Sequence, residues 1–174
     1  MSAVRIVLHH VRMGVADVQL REEPPGGPTG HALRAEFWSE VGEACGLPLE
    51  GGPPAADLVD LVEPSGAFVV AVRGAEGLGC VGVRQLPGGQ VEVKRLFVSS
   101  RARGLGLSRR LLAWCEEWGR ARGATRIVLD THGSLTAARG LYVATGFSEV
   151  EPYNDNPHAQ HWYAKDLAAG PPAR

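Results

Sequence analysis

The chain has 174 residues, 44% of them hydrophobic, with a formal net charge of −1 at pH 7. One domain with a sizeable core is the default at this length, and the near-zero charge excludes an overall pull towards nucleic acid or a membrane surface. No apolar run in the sequence reaches the roughly 18 residues that a spanning helix needs, so a soluble protein is expected.

In chain order, residues 1–15 read as an N-terminal extension, residues 16–168 as the domain and residues 169–174 as a flexible tail. A first strand is predicted at 18–21, and Glu-Glu-Pro-Pro-Gly-Gly-Pro makes a loop before a helix at 32–45; a second loop follows at 46–54. Strands at 67–73, 78–86 and 91–98, joined by Gly-Ala-Glu-Gly and Pro-Gly-Gly, predict an antiparallel meander. Leu107, Leu111, Trp114, Cys115 and Trp118 recur at helical spacing and predict one buried helix face. A buried strand at 126–130, a helix at 136–145 and closing strands at 147–150 and 161–167 complete the pattern.

Cys45, Cys80 and Cys115 are odd in number, far apart and in apolar surroundings. They predict reduced, structurally buried thiols in a cytoplasmic protein. His9 with His10, and His158 with His161, are the only pairs near ligand spacing, and neither has further ligands beside it. No metal is expected.

The stretch after Val98 carries most of the chemistry. It reads Ser-Ser-Arg-Ala-Arg-Gly-Leu-Gly-Leu-Ser-Arg-Arg from 99 to 110, between an apolar strand and a helix. Gly104 and Gly106 let backbone approach a ligand closely, the helix start presents free amides, and Arg101, Arg103, Arg109 and Arg110 add charge. These are the parts of a phosphate cradle, so a phosphorylated cofactor is predicted. A Walker loop would need Gly-Lys-Ser/Thr, which does not occur. A dinucleotide fingerprint would need a third glycine where Arg109 stands, although Asp130 lies at a tolerable distance for a ribose contact. A single late strand–helix–strand unit does not make a doubly wound sheet.

The segment Arg101-Ala-Arg-Gly104-Leu-Gly106 resembles the Arg/Gln-x-x-Gly-x-Gly/Ala cofactor motif of the GNAT superfamily, the acyl-CoA-dependent N-acyltransferases. Downstream, residues 138–147 resemble the family's Ala-x-x-Leu-Tyr-x-x-x-Gly-Phe ending, and the likeness covers about 66–167 well. The resemblance implies an α/β fold of the α+β type: a single domain with a mixed, mostly antiparallel central sheet flanked by helices. It implies acetyl-CoA held by Leu96, Phe97 and Val98 of the strand, by Arg101, Arg103, Gly104, Leu105, Gly106, Leu107, Ser108 and Arg109 of the loop and helix start, and by Ser134 and Ala138. Main-chain N–H groups around Phe97 and Val98 are expected to stabilise an oxyanion, where the family's strand bulges and parts from its neighbour. Leu135 stands where many relatives carry Asn or Gln, so Ser134 is expected to take over by a cap-like shift.

Acyl transfer to an amine needs a base more than an acid, because a primary amine has a pKa of about 10.4 and a thiol of about 8.5. By resemblance Glu92 is the base, acting through water; the plain alternative is a strand carboxylate paired with Lys94 or Arg84. Tyr142 is by resemblance the acid that meets the cofactor sulfur, and its alternative is core packing. Phe37, Trp38, Glu40 and the segment 153–158, with Asn154 and Asp155, border the implied acceptor site. That segment suits an amine-binding rim or an Asx-turn loop equally.

The expected activity is transfer of an acetyl or short acyl group to a primary amine of a small molecule or peptide, by direct attack in a ternary complex. A non-catalytic acyl-CoA-binding sensor or interaction module and a nucleotide-binding regulatory domain are the competing classes. Homodimers are common in the family.

Overall fold

The computed structural model describes residues 17–46 and 58–167. The expected extension and tail, and all but the first residue of the 46–54 loop, lie outside them. Seven strands form one sheet in the order β1-β2-β3-β4-β5-β7-β6. They are β1 (Gln19–Glu22), β2 (Gly66–Arg73), β3 (Glu76–Leu86), β4 (Gln90–Val98), β5 (Arg126–Thr131), β6 (Ser148–Val150) and β7 (His161–Asp166). Helix α1 (Pro28–Cys45) covers one face, and α2 (Leu107–Ala121) and α3 (Thr136–Ala144) complete the fold. Only β4 and β5 run parallel, joined through α2, and every other neighbouring pair is antiparallel. The predicted meander and mixed sheet are therefore present. None of the helices among the described residues is long and apolar enough to cross a membrane.

The sheet centre is buried on both faces, which is why β2 reads as an unbroken apolar run rather than an alternating one. Val69, Ala71, Val91, Val93, Ile127 and Leu129 pack with Leu107, Leu111 and Cys115 of α2. Phe68, Val70, Val72 and Phe97 pack with Leu33 of α1 and with Leu61. Each such side chain contributes roughly 1.5–3 kcal/mol by leaving water.

Helix α1 starts at Pro28, four residues before the predicted start at 32. Its N-cap, Gly27, makes no side-chain cap bond, yet Glu23 Oε1 accepts from the Gly30 amide at 2.8 Å. Proline in the first turn is pre-set for the helical φ. The Gly-Gly-Pro run thus reads as a helix entry, not as the last part of a loop. At the other end Gly46 closes the helix with a left-handed φ of 64°.

Strand β4 has a bulge. Cys80 pairs with Phe97 and Gly82 with Lys94, so two steps on β3 oppose three on β4. Arg95 takes up the extra residue at φ 56°, the one positive φ of a non-glycine residue among those described. The bulge resets the alternation of faces. Val91 and Val93 face α2, but Phe97 lies on the α1 face with its ring edge-on to Phe37, centroids 5.9 Å apart. The bulge, expected around Phe97 and Val98, occurs two residues earlier.

Candidate active site

Strands β4 and β5 pair at three positions only, ending at Glu92↔Val128, although β5 continues to Thr131. Beyond Glu92 the two strands part, and the β5-facing main chain of β4 has no strand partner there. The opening lies between two differently built regions, a backbone loop at the end of β4 and a side-chain network on the α1 face.

The loop follows a short 3-10 turn at Ser100–Ala102. Gly104 and Gly106 have φ values of 78° and 74°, and a Cβ added at either would meet nothing within 4 Å. Their need for glycine is therefore conformational. From Gly104 to Arg109 no amide donates to a main-chain carbonyl among the described residues; the first such bond is Arg110 N to Gly106 O at 3.3 Å. The result is a row of open donors at the positive end of α2, which fits the phosphate groups of a cofactor such as CoA.

The arginines do not converge on this row. Arg101 pairs with Glu36 at 3.3 Å and Glu76 at 3.1 Å and donates to the Gly77 carbonyl at 2.9 Å. Arg103 pairs with Glu40. Arg109 donates to the Ala144 carbonyl at 3.3 Å and Arg110 to the Val18 carbonyl at 3.1 Å. Arg101 and Arg103 tie the loop to α1, Arg109 ties the helix start to the end of α3, and Arg110 ties it to the residue before β1. These side chains are engaged elsewhere in the fold, whereas the amides of residues 104–109 have no main-chain partner among the described residues. Of the other expected cofactor residues, Phe97, Val98 and Leu107 are buried, while Leu96, Leu105 and Ala138 pack partly buried against the α2-side core.

Ser134 does not cap α3. Leu135 occupies the N-cap position without a side-chain cap bond, while Ser134 Oγ lies 2.8 Å from His132 Nδ1 and 3.6 Å from Cys45 Sγ. The adjacent imidazole competes successfully for the hydroxyl. Cys45 is only half-buried, unlike Cys80 and Cys115, so burial of all three thiols is not borne out. Burial pushes the Cys80 thiol up to about 12.

Tyr142 is buried on the α2 side, with its ring 5.6 Å from Tyr163 and 6.1 Å from Phe147. Burial, and then the charge of Asp130, push its ionisation well above the ordinary phenol range, while a hydrogen bond with Thr131 opposes this. The hydroxyl therefore keeps its proton at neutral pH.

On the opposite face Glu92 is fully buried, with 0% of its side chain exposed. Oε2 accepts from Arg84 Nε at 2.7 Å. Oε1 meets Lys94 Nζ at 2.9 Å, Tyr153 Oη at 2.9 Å and Asn154 Nδ2 at 3.3 Å. Both ion pairs weighed from sequence are thus present. Asp130, two residues past the last β4–β5 pair, receives Lys94 at 3.3 Å, Asn154 at 2.7 Å and Asn156 at 3.0 Å. Lys94 and Asn154 bridge the parting strands on this face. Burial lowers the acidity range of Arg84, but Glu92 and Asp60 outweigh it and strengthen the guanidinium's hold on its proton. Burial, then the Glu92 carboxylate, push Tyr153 far above the ordinary phenol range.

Among the expected acceptor-side residues, Asn154 is central, and its Oδ1 also accepts from Trp162 Nε1 at 2.9 Å. Asn156 N and His158 N each bond an Asn side chain two residues back, at 3.4 and 3.1 Å. The segment is therefore an Asx-turn loop that also lines the site. Asp155 is exposed and outside this network. Phe37 packs edge-on against Phe97 with the Arg95 guanidinium 5.4 Å from its ring centre; Trp38 is half-buried, its Nε1 buried without a partner among the described residues. Arg95 was missed from sequence. Its signal was available: apolar residues stand at 91 and 93, then at 96 and 98, a one-residue slip in the period.

Residues 31–147 match the model of the acetyltransferase (GNAT) family. The chain is 39% identical over 99 residues to an IAA acetyltransferase of Azospirillum brasilense, a match covering 56% of this chain and 64% of that one. It is 40% identical over 97 residues to an uncharacterized N-acetyltransferase of Schizosaccharomyces pombe, covering 54% and 59%. The chain thus aligns with less than two thirds of the length of these relatives. A GNAT-family acetyltransferase structure from Staphylococcus aureus superposes with a TM-score of 0.72, at 17% identity over 87% of this chain and 99% of that one. It shares the fold. With the family model spanning more than half the sequence, this chain belongs to the GNAT family of acetyltransferases.

Proposed function

We propose that the protein transfers an acetyl or other short acyl group from CoA to a primary amine of a small molecule or peptide, with both substrates bound at once. The observation that carries this reading is the parting of β4 from β5 between the open amides of residues 104–109 and the buried Glu92 carboxylate. GNAT acetyltransferases use acetyl-CoA as co-substrate, and it supplies the activated thioester. In the overall reaction an N–C bond forms, the C–S bond breaks, one proton passes from nitrogen to sulfur, and the ammonium's other proton is released to solvent.

The chain's own residues divide this work. Amides 104–109 hold the pyrophosphate, and the unpartnered main chain of residues 96–98 lies along the pantetheine arm and offers N–H groups to the acyl oxygen. Glu92 is the proton acceptor for the incoming ammonium, with Arg84 and Lys94 holding it in place. Tyr142 retains its proton and is the donor to the departing sulfur. Phe37, Trp38 and Asn154 border the acceptor, with Asp155 at the outer rim.

The test is incubation with acetyl-CoA and a panel of primary amines while free thiol is followed. Amine-dependent thiol release, slowed about tenfold in Tyr142→Phe, is expected. Tight acetyl-CoA binding without turnover on any amine would instead make the protein an acyl-CoA-binding module.

A further inference from the structure

Glu92 has a structural difficulty as a base: its side chain is entirely shielded, so no acceptor amine reaches it directly. It is surrounded by Arg84, Lys94, Asn154 and Tyr153. A guanidinium and an ammonium carry no acceptor lone pair, and a side-chain amide does not pass a proton on. A phenolic hydroxyl both donates and accepts. Tyr153 Oη donates to Glu92 Oε1 at 2.9 Å, and the half-buried Tyr153 lines a cleft with Arg84, Leu86, Pro87, Gln90 and Asn154, in whose wall Glu92 also lies, shielded from solvent.

We propose that Tyr153 conveys the acceptor's proton to Glu92, standing where a bridging water was expected. This rests on the transferase reading above. The ammonium gives one proton to Tyr153 Oη as the Tyr153 proton moves to Glu92 Oε1; the products are a neutral amine, an intact phenol and a neutral Glu92 carboxyl. After transfer the proton returns through the same hydroxyl to the cleft. Tyr153 never becomes a free phenolate in this scheme, consistent with an environment that disfavours its ionised form. Asn154 and Trp162 hold the backbone next to Tyr153 through the Asn154 side chain.

The experiment compares the parent, Tyr153→Phe and Glu92→Gln on two acceptors, a primary amine of pKa about 10 and one of roughly 7, across pH. A relay predicts that Tyr153→Phe loses about a hundredfold in kcat/KM on the basic amine at neutral pH but only a few-fold on the weak one. The loss on the basic amine should shrink as pH rises and free amine accumulates. Equal losses on both amines at every pH would mean that Tyr153 only shapes the cleft and would overturn the proposal. Full activity in Tyr153→Phe with loss in Glu92→Gln would overturn it too, leaving a water in that role and the transferase reading intact. No thiol release by the parent on any amine would remove both. If Tyr153→Phe melts early, a fluorinated tyrosine at 153 preserves the shape and lowers the phenol pKa. A relay then predicts retained transfer to the basic amine, and a loss as large as that of Tyr153→Phe would count against it.

Discussion

The two sides of the opening between β4 and β5 are built on opposite principles. On the side proposed for the cofactor the groups are backbone amides from 104 to 109, left without main-chain partners, in a loop that the arginines brace from outside. On the acceptor side they are side chains from β3, β4, β5 and the 153–158 segment, each already satisfied by another. A backbone site needs only a short local string with glycine where φ is positive. A side-chain network needs residues distant in sequence to meet, and its geometry is set by the fold. On the proposed assignment, binding of a shared co-substrate and choice of an individual acceptor are encoded at different ranges along the chain.

The contrast can be broken on either side. The largest expected effect is on the network: Glu92→Ala strands Arg84 and Lys94 beside a buried void and should cost about 3 kcal/mol in urea unfolding, near the lower end for breaking a buried pair because Asp60 and Asp130 remain. A change below about 0.5 kcal/mol would show the network to be dispensable for stability. Next comes the loop. Gly106→Val forces a β-branched residue into a left-handed φ and should weaken CoA binding about a hundredfold by calorimetry, with the fold kept because no neighbour crowds the position. Unaltered affinity would mean that the loop conformation is not what CoA requires.

Smaller changes sharpen the comparison. Tyr142→Phe keeps the ring contacts with Phe147 and Tyr163, so it should lower kcat about tenfold with little change in acetyl-CoA KM; an equal rise in KM would point to a packing role. The smallest effect concerns α1. Burial raises the Glu23 carboxyl, but the Gly30 amide and Arg21 outweigh this and hold it below the usual range. Its folded value is therefore depressed, and its stabilisation is present above the unfolded pKa and lost as pH falls through the folded one. Glu23→Gln should cost about 1 kcal/mol near pH 7, a difference that closes below about pH 4. A pH-independent difference would contradict this.

The same contrast explains what the sequence made legible. Glycines at 104 and 106 and the apolar stripe of α2 pointed to the loop because its geometry is local. The meander followed from periodicity and turn residues, and the mixed sheet from the family resemblance. Glu92 and Asn154 stood out individually, but nothing in their spacing revealed that one hydrogen bond would join them across 62 positions. Arg101 and Arg103 looked like phosphate ligands, whereas Glu36, Glu40 and Glu76 lie beside them only in the folded chain. Ser134 was misread because the competing His132 acts through a two-residue turn rather than a helix cap.

Amide hydrogen exchange with and without CoA, then with an acceptor amine added, tests the division most directly. The account predicts that CoA alone slows exchange at 104–109 and along 96–98 while leaving 151–158 unchanged, and that the amine then slows 151–158. Slowing of 151–158 by CoA alone, with 104–109 unaffected, would contradict it.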